Sequence, residues 1–156
     1  MLSTVAGKCI MTFLISMVPV IELRGGLPYG IVSGLSLPAA AGCAIAGNML
    51  PVPFIIIFIE KIFAWLRRIF PRIDSFISSL ERRAESKQET IEKYGWLGLV
   101  ILVAIPLPGT GAWTGALVAA MLEMKLKKAV PCIFIGVVIA AIIMTVVTKL
   151  GIFAFF

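Results

Sequence analysis

In a chain with no histidine, polar chemistry falls to a few residues set in apolar surroundings. Glu22 and Arg24 stand in Val18-Pro-Val-Ile-Glu-Leu-Arg-Gly-Gly-Leu-Pro-Tyr-Gly, and Thr110 and Thr114 stand in Ile105-Pro-Leu-Pro-Gly-Thr-Gly-Ala-Trp-Thr-Gly. These types support anion recognition and proton transfer. Arg24 presents a planar donor fork that matches phosphate and carboxylate. On one helix Glu22 and Arg24 would not face each other, but an unwound loop lets them meet. Glu22 is then either a proton carrier or the ionic partner of Arg24. The glycines and prolines interrupt both stretches, so a new helix must start after each break. Those starts, expected near Gly26–Leu27 and Thr110–Gly111, offer unpaired N–H groups and partial positive charge to an anion.

The candidate substrate-binding set is therefore Glu22, Arg24, Gly25, Gly26, Pro108, Gly109, Thr110, Gly111 and Thr114. Asn48 joins it for a separate reason. Pro51 and Pro53 cannot donate to the carbonyls of Gly47 and Met49, which predicts a kink with free acceptors beside the Asn48 amide. An ordinary packing kink is the competing explanation. Tyr29 and Trp113 follow the two breaks and either line a cavity or anchor the helices. Cys9, Cys43 and Cys132 lack metal-ligand spacing and read as small buried apolar residues. No Walker, zinc or serine-triad pattern occurs, so neither a cofactor nor an enzyme activity is expected.

These residues need a scaffold, and the composition names its solvent. The 156 residues are 60% hydrophobic, with mean hydropathy +1.08, against about half apolar in soluble proteins. A soluble fold of this length could not hide so much apolar surface. The class is all-α integral membrane. Crossing the hydrocarbon takes about 20 apolar residues. Pro38 to about Trp65 and Val130 to about Phe153 are long enough. Val5–Val18, Leu27–Leu35, Trp96–Ile105 and Ala112–Leu122 are too short. Lys8 and the apolar run after it resemble a signal peptide, but no small-x-small site follows, so this run is read as part of the fold.

The order is short, break, short, long, stated twice. Each short pair is expected to be a re-entrant hairpin followed by one crossing, and an odd number of crossings inverts the second repeat. Leu37, Ala40, Cys43 and Gly47 align with Leu126, Ala129, Cys132 and Gly136, in support of the repeat. The expected organisation is one membrane domain over 1–156: repeat one at 1–65, a linker helix at 66–94 and repeat two at 95–156. In the linker, Ile73, Phe76, Ile77, Leu80 and Ala84 keep helical spacing, with Pro71 as a start signal and Gly95 as a stop. An amphipathic helix on the membrane face is expected, with basic residues that attract anionic lipid headgroups.

Charge sets the orientation. Eight of the fourteen Lys and Arg residues lie between Lys61 and Lys93, and Lys125, Lys127 and Lys128 add three. Residues 61–94 and 123–128 are therefore expected to be cytoplasmic, with both termini outside. The basic residues of the linker are interleaved with acids, so no nucleic-acid partner is expected. Membrane lipid is the expected surrounding partner. Two crossings enclose little space, so a homodimer is the expected assembly.

The two quoted motifs resemble the small multidrug export family of bacterial and archaeal membrane proteins, over nearly the whole chain. More distantly, the architecture resembles the DedA superfamily, whose members move lipids such as undecaprenyl phosphate between leaflets. The resemblance implies a prokaryotic inner-membrane location, matches Glu22 to the acidic residue of the first hairpin, and sets Pro108-Gly109 in the second. The arginine motif that DedA proteins carry past their second hairpin does not occur here, and Arg24 is its candidate substitute. The function that follows is a small transporter of an anionic amphipathic substrate such as a polyprenyl or other lipid phosphate, possible proton coupling included. The alternatives are export of cationic or amphipathic drugs and a non-transport scaffold.

Overall fold

The computed structural model describes residues 4–107 and 110–151, and all the regular structure in them is helical. Helix α1 spans Val5–Met17, α2 Glu22–Val32, α3 Leu37–Met49 and α4 Pro51–Ile69. A short 3-10 turn at Pro71–Ile73 leads into α5, Asp74–Tyr94, followed by α6 Trp96–Ala104, α7 Ala112–Met121 and α8 Leu126–Lys149. Thr4 caps α1 by accepting from the Gly7 N–H at 3.2 Å. Pro38 enters α3 in its first turn, where its missing N–H costs nothing. Gly95, at φ +60°, turns the chain out of α5.

Among the described residues, two stretches are long and apolar enough to cross a membrane, Leu37–Ile59 and Leu126–Lys149. They overlap the two expected spans, ending short of Trp65 in the first; the expected end of the second, Phe153, lies outside the described residues. The first is interrupted at Leu50, directly before Pro51 and three residues before Pro53, where the sequence predicts a kink. The other expected break moves. Helix α2 starts at Glu22 and not near Gly26–Leu27. Pro19 lies in the turn that separates α1 from α2. Backbone strain concentrates there, because Val20 has φ +76° and Glu22 φ +50°. Left-handed conformations cost a residue with a side chain about 1–3 kcal/mol.

Close packing explains four of the glycines. A Cβ on Gly26 would overlap the Ser16 hydroxyl of α1, and one on Gly30 would press on Thr12 of α1 and Ala40 of α3. Thr12 and Ser16 are fully buried and satisfy themselves within α1, donating to the carbonyls of Lys8 and Thr12 at 2.8 Å each. Small residues let helix backbones approach in an apolar solvent. Gly26 is therefore a packing residue of the α1–α2 contact, which corrects its expected place in an unwound binding loop. Gly47 on α3 sits against the Phe13 backbone of α1, and Gly136 on α8 against Val100 and Val103 of α6. The two glycines that align in sequence thus make the same kind of contact, each with the first helix of its own half.

Helix α5 is amphipathic as expected, but its stripe is used inside the protein. Ile77 and Ile91 are buried, and α5 packs on α6 and α7. Arg67 ties the end of α4 to α5 through Asp74 at 2.8 Å and Glu81 at 2.7 Å. Exposed pairs of this kind are screened by solvent and contribute little, so the buried apolar stripe does most of the anchoring.

Candidate functional site

Helix α7 begins at Ala112 with no side-chain cap of its own, because its N-cap is Gly111. The cap comes from the other half of the chain. Glu22 accepts hydrogen bonds from the N–H of Ala112 through Oε2 at 3.2 Å and of Trp113 through Oε1 at 3.1 Å. It is only 3% exposed. A carboxylate on free amides at a helix N-terminus meets both the unpaired donors and the positive end of the dipole. Gly111 makes this possible. Its φ of +116° and ψ of −171° suit glycine alone, and a Cβ there would run into the Glu22 carboxylate.

Two more links close the same junction. Arg24 Nη2 donates to the Thr110 carbonyl at 2.8 Å and to Thr110 Oγ1 at 2.7 Å. Trp113 Nε1 donates to the Met17 carbonyl at the end of α1, at 3.1 Å. Thr110 Oγ1 also lies 2.6 Å from the Ile105 carbonyl and accepts from the Leu107 N–H at 3.2 Å. The breaks therefore cap each other: the first supplies an acid and an arginine to the second, and the second returns an indole N–H to the first.

This arrangement corrects two expectations. Glu22 and Arg24 do not pair with each other; among the described residues the ion pairs within 4.0 Å belong to Arg67. Both lie in the first turn of α2, where positions two apart diverge, and each reaches separately to the second break. The α7 amides, expected to await an anionic substrate, hold the chain's own carboxylate.

Residues 22–143 match the family described as "Putative small multi-drug export protein". The chain belongs to that family. No curated protein and no solved structure matches it. In this export-family protein the matched span opens at Glu22, just past the first break, and ends within α8, so it holds Glu22, Arg24 and the second break.

The remaining candidates divide. Gly25 lies in α2, where a Cβ would overlap the Ile21 side chain. Thr114 is buried in α7. Pro108 and Gly109 lie outside the described residues. Asn48 is 3% exposed and its Oδ1 has no partner among the described residues. No hydrogen bond joins Asn48 to the Glu22 cluster among the described residues. A buried acceptor without a donor costs about 1–3 kcal/mol, so among the described residues this amide is the one expensive polar group that the fold does not explain.

Beside the junction lies an apolar cavity of about 540 Å³, within the roughly 300–1,000 Å³ of small-molecule sites. Pro19 of the first break and Trp113 of α7 line it, with Phe54, Ile55, Ile59 and Phe63 of α4, Phe76 and Ile77 of α5, and Arg72. Phe54 and Phe76 are about half exposed. The sequence signals the cavity only weakly, since its walls come from α4, α5 and α7 and no single segment shows them together.

Proposed function

We propose that this export-family protein moves an amphipathic anion across the membrane, with the Glu22–α7 junction as its gate. The carrying observation is the apolar cavity that touches both breaks through Pro19 and Trp113 and also includes Arg72. An apolar body fits between α4 and α5, and an anionic head fits the Arg72 guanidinium. A polyprenyl or other lipid phosphate is the finer form of this substrate class. Trp113 couples cavity to gate, because its backbone N–H holds Glu22 and its indole holds Met17. Protonation of Glu22 removes the charge that binds the α7 amides, and this gives proton coupling a physical route.

The topology that goes with this reading is two inverted repeats, each a re-entrant hairpin and one crossing, in a prokaryotic inner membrane with both termini outside. It is supported by the matched Gly47 and Gly136 contacts, by the break that ends each hairpin's first helix, and by the clustering of basic residues in 61–94 and 123–128. Export of cationic compounds is the second reading. It is favoured by the lack of a direct Glu22–Arg24 ion pair among the described residues, since a released Glu22 can then meet a cation.

Proteoliposome transport of a labelled polyprenyl phosphate, an anionic dye and a cationic dye decides among these. The anions move, and Arg72→Gln slows them about tenfold, the worth of one charge-assisted hydrogen bond. Movement of the cation alone selects the second reading, and movement of none of the three makes the protein a scaffold.

A further inference from the structure

Short turns join α1 to α2 and α2 to α3, and the contacts of Gly26 with Ser16 and Gly30 with Thr12 show α2 running antiparallel to α1. Helices α1 and α3 therefore run parallel. They touch where Gly47 meets the Phe13 backbone. One helical turn back on each lies a cysteine, Cys9 on α1 and Cys43 on α3. Both are free and half-buried, and the register of the Gly47–Phe13 contact sets them opposite each other. At 1.5 Å per residue, Cys9 lies ~6 Å from the start of its helix and Cys43 ~9 Å from the start of its own. The pair is thus near the helix ends that face Gly34, not at the buried junction of the breaks.

The geometry points to Cys9 and Cys43 as an oxidisable pair that closes a disulfide between α1 and α3. Parallel helices held at glycine distance bring facing Cα atoms toward the roughly 4.4–6.8 Å that a disulfide spans. The reaction is thiol–disulfide exchange with a disulfide carrier. One thiolate attacks a carrier sulfur and expels the first carrier thiolate. The second cysteine then attacks the mixed disulfide and expels the other. The carrier gains two electrons, and the two thiol protons pass to water. The bond fixes α1 to α3 around α2, the helix that carries Glu22 and Arg24, so it locks the first half of the gate. The second half has no such pair. Cys132 aligns with Cys43, but the residue one turn before Val103 on α6 is Leu99.

The full chain in membranes is treated with diamide, which takes up the two electrons and two protons as its azo bond becomes a hydrazine. It is then denatured, and its thiols are counted with a mass-tagged maleimide. Wild type is expected to fall from three tags to one, at monomer size on a non-reducing gel. Cys9→Ala and Cys43→Ala are each expected to keep both remaining tags. Three tags on oxidised wild type, or tag loss in either single variant, overturns the pair. The lock is read without transport, as a rise in unfolding temperature on oxidation that a reductant reverses and that neither variant shows. A closed bond with an unchanged unfolding temperature overturns the lock.

Discussion

Replacing Gly111 with alanine attacks the Glu22–α7 junction, and the cost has two separable parts. Backbone at φ +116° and ψ −171° costs a residue with a Cβ about 1–3 kcal/mol. The added Cβ also displaces the Glu22 carboxylate, which then loses its bonds to Ala112 and Trp113. Two hydrogen bonds to a charged acceptor contribute about 3–6 kcal/mol together. The sum, about 4–9 kcal/mol, is comparable with the whole stability of many domains, about 5–15 kcal/mol. Unfolding in mixed micelles of rising denaturing-detergent fraction, followed by tryptophan fluorescence, measures it. The decisive comparison is a double-mutant cycle. Glu22→Ala alone removes the same two bonds, so adding it to Gly111→Ala should cost almost nothing further. If the two substitutions add, or if Gly111→Ala costs under about 1 kcal/mol, far below the backbone-strain range, then Glu22 does not cap α7.

Other outcomes follow from the same contacts. Arg24→Ala should cost about 2–4 kcal/mol through its two bonds to Thr110, and Arg24→Lys should recover only part, having lost the guanidinium fork; the same micelle titration reads both. Gly47→Ala and Gly136→Ala should each destabilise by about 1–3 kcal/mol, as overpacking does. Gly42→Ala, with nothing within 4 Å of its would-be Cβ, should be neutral or gain up to about 1 kcal/mol from helix propensity. Asn48→Leu removes an unpartnered acceptor and should raise stability by about 1–3 kcal/mol; a simultaneous loss of proteoliposome transport assigns the amide to the substrate path.

The sequence exposes the elements better than their joints. Hydropathy places both long spans, Pro71 and Gly95 bracket α5, and the second break lies where its glycines put it. The first break is misplaced because Glu22-Leu-Arg-Gly-Gly reads as helix-breaking on glycine propensity. Packing overrides that propensity: Gly26 and Gly30 are in α2 so that Thr12 and Ser16 can come close. The paired Thr12 and Ser16, one turn apart on an apolar helix, are the signal that finds this contact. Glu22, Arg24, Thr110 and Gly111 are all visible as candidates. What sequence spacing hides is that they meet 86 to 91 positions apart, as partners of one another. Capping across two halves of a chain leaves no local pattern.

The gate itself is tested most directly by the distance between spin labels at Ile21 and Leu107, exposed positions beside Glu22 and Thr110. The pair is measured in vesicles with wild type and with Glu22→Gln, which removes the charge and one acceptor oxygen. Wild type should give one short distance, and the variant a second, longer one, together with loss of proton-driven accumulation of the anionic probe. One unchanged distance in both proteins, with accumulation intact in the variant, would contradict a gate held shut by Glu22.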